Sequence, residues 1–530
     1  MTAAMSEEIV HPDGRHELAP DVDAALGQSV LHNEDLAPVP VQKRTWTTYN
    51  YLALWVGMSI NIPTWLLASG LVALGMAWYQ AILIIAAANI IVLVPMLLIS
   101  HAGTKYGIPY PVVARASFGV FGANLPALLR AGVACGWFGI QTWIGGTASF
   151  GLVGAVLGSG WTDADKLAIG FGWPAVAQPW TLYLSFLVFW AINIFIILRG
   201  MEAIKRFENW AAPFMIVVFL SLMVWMIFRA GGFGPVVSNP GRLGWGSEFW
   251  SIVPLSLMGM IAFWSTLSLN MPDFTRFGRS QREQAYGQAL GLPTTMTLFP
   301  LIGVLTTSAT VVVFGAELWD PVALTERLDN TLLIVGMLFV LAVATLSTNV
   351  AANVVSPSYD FSNAWPRRIS FRTGGLITGV LGILIQPWNL LATPELYIFT
   401  WLGFYGGVTG AIAGVIIADY WLIRRTHLKL ADLYRSNGIY RYASGWNWRA
   451  VVAFAIGAVV AVGGAYSGLD ANGVPTGPFP QDGIISFLKP VYDYSWVAGL
   501  LVAFAFYWGF ARFLPAREVA QPETAAAQPV

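Results

Sequence analysis

The chain has 530 residues, of which 56% are hydrophobic and only 11% are charged, and its 28 Lys and Arg residues balance its 28 Asp and Glu residues. Soluble proteins are about 45–50% apolar and about 25% charged, so this composition predicts a polytopic membrane protein. The balanced charge excludes nucleic acid as an expected partner, because binding phosphates needs an excess of clustered basic side chains.

Residues that could hold a metal or a redox group are scarce. The one cysteine, Cys135, lies within an apolar segment, so neither an intramolecular disulfide nor a thiolate metal site is expected. The five histidines are predicted to lie in tails or loops, at His11, His16, His32, His101 and His427. We therefore expect no resident cofactor.

Both ends of the chain are polar. Residues 1–46 carry mixed charges and no basic stretch that leads into a short apolar run, so no signal peptide is indicated. Residues 514–530 are rich in proline and alanine. Both segments are predicted to be cytoplasmic tails, disordered over 1–46 and 516–530.

Between the tails, twelve apolar runs have the length at which a helix crosses a bilayer, about 20 residues. We number them span one to span twelve, at 47–73, 78–101, 122–152, 180–198, 205–229, 249–271, 288–315, 331–357, 373–393, 397–423, 449–467 and 494–513.

The basic residues orient these spans. Lys and Arg are enriched in short cytoplasmic loops, and with a cytoplasmic N-terminus only five of them fall in outside segments: Lys166, Arg229, Arg242, Arg327 and Lys489. This pattern predicts an even number of spans with both termini in the cytoplasm. A multi-pass protein of the plasma (inner) membrane is expected.

Span one is interrupted within "WVGMSINIPTW" by Gly57, Ser59, Asn61 and Pro63. A proline removes one backbone donor and clashes with the preceding turn, which frees carbonyl groups one turn earlier. Those carbonyls could bind a cation, or neighbouring helices could satisfy them as at an ordinary proline kink.

Trp137 and Gln141 of span three lie four residues apart and therefore share one helix face. An indole beside a carboxamide offers a stacking surface together with a donor and an acceptor, which suits a planar heterocycle with amide-like groups. The alternative is a tryptophan packed in the core beside a glutamine that bonds another helix.

Span six repeats the pattern W-x-x-x-S-x-N-x-P of residues 55–63 at residues 264–272. Broken helices at corresponding positions of two halves indicate the binding site of an inverted-repeat transporter. Asn270 lies nearer the cytoplasmic end of its span than Asn61 does, so a chance match remains an alternative.

Span eight carries Ser347, Thr348, Asn349 and Asn353. Hydroxyl oxygens are hard ligands that suit sodium, although helical Ser and Thr usually bond the carbonyl one turn earlier. Taken with spans one, three and six, these uncharged groups predict a neutral, flat, hydrogen-bonding solute rather than an amino acid.

The chain resembles the nucleobase-cation-symport-1 transporters from about residue 33 to span twelve. The motifs that carry this resemblance are "HNEDLAPVP", "RTWTTYNYLALWVGMSINIPTW", "YGIPYPVVARASFGVFG", "WFGIQTWIGG", "NMPDFTRF", "STNVAANVVSPSYDF", "ADYWLIRR" and "LADLYRSNGIYRY". It implies an all-α integral membrane protein with twelve helices of the LeuT type. Two inverted repeats (47–229 and 249–423) would be followed by two extra helices (449–513).

The resemblance also implies site residues. The solute would be stacked by Trp137 and Trp264 and bound by Gln141 and Asn353. Asn61 stands where a sodium-coupled hydantoin transporter of the family has Gln, and Phe263 stands where it has Gly, so both would adjust selectivity. The sodium ligands implied are the carbonyls of Gly57, Ile60 and Ala344 and the hydroxyls of Ser347 and Thr348.

The predicted function is import of a neutral planar nucleobase or ureide, of the uracil, allantoin or hydantoin type, by alternating access. Na⁺ is favoured over H⁺ as the coupling cation. The expected partners are the solute, the cation and the lipid bilayer, with a monomeric protein. A proton-coupled permease for cytosine, a purine or a vitamin-like heterocycle is the alternative, because "LNMPDFTRF" and "GQALGLP" resemble the uracil and allantoin branch. A membrane-embedded enzyme is the least favoured alternative, because it would need histidines or carboxylates at the span centres and the predicted spans carry none there.

Overall fold

The structure is a computed structural model that describes residues 7–170, 176–199, 201–238, 240–392, 396–468, 475 and 477–514, with the backbone alone at 201–214, 347 and 351. Helices dominate these residues. Two short antiparallel hairpins accompany them, Glu8–Val10 with His16–Leu18 and Lys166–Ala168 with Ala177–Pro179.

Each predicted span overlaps a helix or a helix pair. Span one forms Thr48–Ser59 and Ile62–Ala73, bent by 60°. The others are Trp78–Tyr106, Asn124–Leu157, Trp180–Arg199, Met201–Arg229, Ser247–Asn270, Gln281–Phe314, Thr331–Ala364, Phe371–Leu384, Leu396–Ile423, Trp448–Val462 and Ser495–Phe513.

Length and apolarity alone qualify eight of the described helices to cross a bilayer, and the bent pair makes a ninth. Three shorter apolar helices occupy spans five, nine and eleven, at Met215–Arg229, Phe371–Leu384 and Trp448–Val462. The described helices are therefore consistent with the twelve predicted spans.

Span six differs from the prediction, because helix Ser247–Asn270 runs unbroken past Trp264. The short helix Pro272–Thr275 follows it after the single residue Met271. Ser265 and Ser268 donate to carbonyls three residues earlier, at 2.8 and 2.7 Å. These two hydroxyls are thus satisfied within their own helix, and the repeat of span one exists in the sequence without a second mid-span break.

The prediction of a disordered N-terminal segment is wrong for residues 7–46. Arg44 is buried, and its guanidinium donates to the carbonyls of Val39 at 2.8 Å and His16 at 2.7 Å. Gly107, at φ +71°, lies against this guanidinium where a Cβ would clash. Burial lowers the pKa of Arg44 to about 10. Several backbone acceptors around one buried cation order this polar segment.

Two further positions differ from expectation. His101 lies within helix Trp78–Tyr106 rather than in a loop, with its Nδ1 2.8 Å from the Tyr420 hydroxyl. Span nine, predicted to reach residue 393, ends as a helix at Leu384, and Gln386 takes a φ of 57° before Pro387. The residue that precedes a proline is restricted to non-helical conformations, which explains the early end.

A buried ion pair joins spans three and eight. Arg130 Nη1 lies 3.2 Å from Asp360 Oδ2, and the two side chains are 1% and 0% exposed. Asp360 belongs to the helical continuation Val355–Ala364, beyond the predicted end of span eight. This pair fixes the relative position of the two helices that carry Trp137 and Asn353.

Candidate functional site

The break in span one frees two carbonyl groups. In a continuous helix the carbonyls of Gly57 and Ile60 would accept from the N–H groups of Asn61 and Thr64. Here the Asn61 N–H donates to the Ser59 carbonyl at 3.1 Å, and the Thr64 N–H donates to the Asn61 side chain at 2.8 Å. The predicted interruption is confirmed, and it leaves these two carbonyls without their helical partners.

Asn61 holds the break in place. Its Oδ1 caps helix Ile62–Ala73 by accepting from Thr64, and its Nδ2 donates to the Met58 carbonyl. An asparagine cap contributes about 0.5–2 kcal/mol of helix stability. Both ends of the carboxamide are engaged by the backbone, so its predicted contact with the solute stays a prediction beside a structural role.

The other predicted cation ligands lie in helix Thr331–Asn353, which contacts helix Thr48–Ser59. The Thr348 hydroxyl donates to the Ala344 carbonyl at 3.2 Å, the bond that a helical threonine usually makes. This bond places two of the predicted ligand oxygens side by side. The side chain of Ser347 lies outside the described residues.

Trp137 forms one aromatic wall. Its ring contacts Phe263 edge to face, with centroids 5.1 Å apart and an interplanar angle of 81°. Its Nε1 donates to the Tyr405 hydroxyl at 3.2 Å, and that hydroxyl donates to the Ala262 carbonyl at 2.9 Å. Span three, span six and span ten therefore meet at Trp137.

Trp264 forms a second wall. It contacts Phe263 at 4.9 Å and 90°, and Trp55 of span one at 5.1 Å and 87°. The Trp264 Nε1 is buried and has no hydrogen-bond partner among the described residues. Since both Trp137 and Trp264 stand edge to face with Phe263, this phenyl ring is the shared neighbour of the two indoles.

Two of the predicted solute ligands, Gln141 and Asn353, are carboxamides. Gln141, one turn from Trp137, is buried, and its Oε1 has no partner among the described residues. Asn353 is also buried and bonds Asn349, which in turn bonds the backbone of Phe138 in span three. The predicted solute ligands Trp137, Phe263 and Trp264 thus form one aromatic cluster. Asn353 is linked to span three through Asn349.

The sequence analysis did not assign Trp55 or the aromatic face of span ten to the site. Tyr397, Trp401 and Tyr405 follow at intervals of four residues, and this spacing could have shown that they share a helix face. Tyr397 and Tyr405 contact the Trp137 ring. Trp401 lies so close to Gly136 that a Cβ there would clash with its ring.

Comparison with known families decides what kind of protein this is. A family model described as "Permease for cytosine/purines, uracil, thiamine, allantoin" matches residues 38–499. The chain belongs to this permease family. Its members are transporters rather than enzymes, so the prediction that the chain is not an enzyme is confirmed.

Relatives of this permease cover nearly the whole chain. The allantoin permease of Bacillus subtilis is 41% identical over 491 residues, which cover 92% of this chain and 95% of that protein. The purine-uracil permease NCS1 of Arabidopsis thaliana is 38% identical over 480 residues, or 90% of this chain and 77% of that protein.

Solved structures agree with the family. Mhp1, a nucleobase-cation-symport-1 family transporter in a closed conformation with bromovinylhydantoin bound, matches with a TM-score of 0.72 and 26% identity over 91% of this permease and 95% of that chain. A Na⁺-coupled sialic acid symporter shares the fold alone, with a TM-score of 0.61 and 12% identity. The predicted family and LeuT-type helical membrane fold are confirmed.

Proposed function

We propose that this permease imports a neutral planar nucleobase or ureide, of the uracil, allantoin or hydantoin type, together with Na⁺ by alternating access. It would act in the plasma membrane with both termini in the cytoplasm. The names of its relatives, an allantoin permease and a purine-uracil permease, support the solute class. The bromovinylhydantoin bound to Mhp1 is a planar ureide of the same kind.

The observation that carries the proposal is a pair of buried polar groups, one on an indole and one a turn from the other indole, that have no partner in the described part of the chain. Among the residues that the structure describes, the buried acceptor Gln141 Oε1 has no donor and the buried donor Trp264 Nε1 has no acceptor. A buried polar group without a partner costs about 1–3 kcal/mol, so a ligand that pairs both atoms gains this energy. These atoms are uncharged, which favours a neutral solute with both N–H and C=O groups.

The cation would lie between spans one and eight. The freed carbonyls of Gly57 and Ile60, the Ala344 carbonyl and the Thr348 hydroxyl are neutral oxygens, which hard cations prefer. A cation bound there would tie the bent helix to span eight and order the solute site. By linkage, the solute must then raise the affinity for the cation by the same factor.

A ligand screen tests this function. The purified protein is heated with uracil, allantoin, hydantoin, cytosine or hypoxanthine, in sodium or in potassium chloride. We expect one neutral nucleobase or ureide to raise the melting temperature more in sodium, since a ligand at 100 times its Kd stabilises the folded state by about 2.7 kcal/mol. Equal shifts in both salts, with uptake that follows a pH gradient, would favour proton coupling instead.

Thr348→Val tests the cation site. Valine keeps the shape of threonine but removes the ligand oxygen, and we expect the sodium concentration for half-maximal uptake to rise by roughly tenfold, equivalent to about 1.4 kcal/mol. Thr345→Val is the matched control, because Thr345 is buried in the same helix and donates to the Leu341 carbonyl at 2.7 Å. Equal effects of the two substitutions would contradict the assignment of Thr348.

A further inference from the structure

A buried chain of side-chain amides leads from span four to the solute site. Asn193 lies in helix Trp180–Arg199, and its Nδ2 donates to the Phe189 carbonyl at 2.9 Å. The Oδ1 at the other end of this amide can only accept. It accepts from Asn349 Nδ2 in span eight at 3.2 Å, so the first link of the chain has a defined direction.

Two more acceptors surround the Asn349 nitrogen. The Phe138 carbonyl oxygen lies 3.2 Å from it and Thr142 Oγ1 lies 3.0 Å from it. The Thr142 hydroxyl donates its hydrogen to the same Phe138 carbonyl at 2.6 Å, so toward Asn349 it can only accept. If the Asn349 amide were turned round, its oxygen would face the oxygens of Asn193, Phe138 and Thr142, and no hydrogen would be available to form a bond. The network therefore fixes which end of Asn349 is the nitrogen.

The orientation of Asn349 dictates that of Asn353. The Asn349 Oδ1 points along the helix to the next turn and accepts from Asn353 Nδ2 at 3.0 Å. The Asn353 Oδ1 is at the opposite end of its carboxamide and accepts no hydrogen bond from any described residue. Asn353 thus has an acceptor left over on the side away from the network.

We propose that Asn349 is a positioning residue that sets the hydrogen-bond polarity of the solute site, so that Asn353 presents its carbonyl oxygen and selects solutes that offer an N–H group to it. This inference rests on the proposed function, in which Asn353 binds the solute. A solute with an alkylated nitrogen at that point leaves the Asn353 oxygen unpaired, whereas the N–H groups of nucleobases and ureides satisfy it.

The solutes for the test differ by one methyl group each. 1-Methyluracil and 3-methyluracil each lack one N–H donor of uracil, and thymine carries its extra methyl group on carbon. Affinities are measured on the full-length protein by competition with labelled uracil in proteoliposomes. In the unmodified permease we expect N-methylation at the position facing Asn353 to weaken binding by about tenfold or more.

Asn349→Ala lets the Asn353 carboxamide turn and offer an N–H group in place of its oxygen. The penalty of that one N-methylation should fall to about threefold or less, while the penalty of the other N-methylation stays. Asn193→Ala removes one of the three acceptors of Asn349 Nδ2. It should lower the same penalty, which is the ratio of the affinities for uracil and its N-methyl derivative, by a smaller factor. If Asn349→Ala does not fold, Asn193→Ala tests the positioning role on its own.

Asn89→Ala is the matched control. Asn89 is buried in helix Trp78–Tyr106 and donates to the Ile85 carbonyl at 2.7 Å, so its loss should leave every ratio unchanged. Unchanged ratios in both Asn349→Ala and Asn193→Ala, or an equal loss for all four solutes, would overturn the positioning role. If the unmodified permease binds none of the four and neither allantoin nor hydantoin, the proposed solute class fails, and this inference with it.

Discussion

Replacing Trp137 by alanine is expected to reduce the uptake of labelled uracil, allantoin or hydantoin to background while the protein still reaches the membrane. Stacking on an aromatic side chain contributes about 1–3 kcal/mol per base in nucleic-acid proteins, which is roughly a 5- to 150-fold change in affinity. The indole also donates to Tyr405, which links spans three, six and ten. Removing it therefore costs both the stacking surface and the alignment of its neighbours.

Trp143→Ala is the matched control for this experiment. Trp143 lies in the same helix and, like Trp137, is 6% exposed, but it packs against Tyr183, Phe186 and Trp388. Its loss should lower stability by a similar amount without selective loss of solute binding. Uptake that is near normal in Trp137→Ala, or equally impaired in both variants, would remove Trp137 from the site.

Gln141→Ala complements the stacking test, because it removes the buried acceptor and leaves the aromatic wall intact. Without the Gln141 oxygen, an N–H group of the bound solute has no acceptor. Losing one partner of such a hydrogen bond costs far more affinity than losing an apolar contact. We expect uptake to fall with Gln141→Ala while Gln141→Glu or Gln141→Asn retains part of it.

The second large effect is expected at the ion pair between Arg130 and Asp360. Asp360→Asn keeps the shape of the side chain but removes the carboxylate that contacts the buried Arg130 guanidinium, and breaking such a pair costs about 3–5 kcal/mol. A large fall in the melting temperature of the purified protein, or loss of folded protein from the membrane, is the expected result. The cause is that a buried charge without a partner cannot be solvated by lipid or by packed side chains.

The double variant Arg130→Met, Asp360→Leu separates charge from packing. Apolar replacements of a buried pair are often neutral or stabilising, so the double variant should recover much of the stability lost in Asp360→Asn. Asp329→Asn is the control, because its partner Arg229 lies 3.1 Å away in a pair that is 43% and 82% exposed, and exposed pairs contribute little. A double variant no better than Asp360→Asn would show that the pair acts through more than its own charges.

Much of the candidate site could be predicted because its signals are local. Trp137 and Gln141 share a helix face through their spacing alone, and the interruption at Asn61 and Pro63 follows from proline chemistry. The structural role of Asn61 depends on its surroundings. The sequence does not reveal that the Met58 carbonyl and the Thr64 N–H engage both ends of its carboxamide.

The polarity of the amide network could not be predicted for a different reason. Asn193, Thr142 and Asn349 are far apart in the chain, and each is an ordinary helical polar residue on its own. The direction of each hydrogen bond depends on the other partners of its donor and acceptor. Only the packed arrangement of spans three, four and eight defines those partners.

The sequence by itself determined the membrane class, the positions of the apolar spans and the family, because spanning length, apolarity and short motifs are properties of contiguous residues. The tertiary structure decided which distant groups meet. Arg130 pairs with Asp360 across 230 positions, and residues 7–46 are ordered by a buried arginine and its carbonyl acceptors. In the folded protein, span six is also helical through Trp264. Such contacts depend on long-range packing, which local propensity and periodicity do not encode.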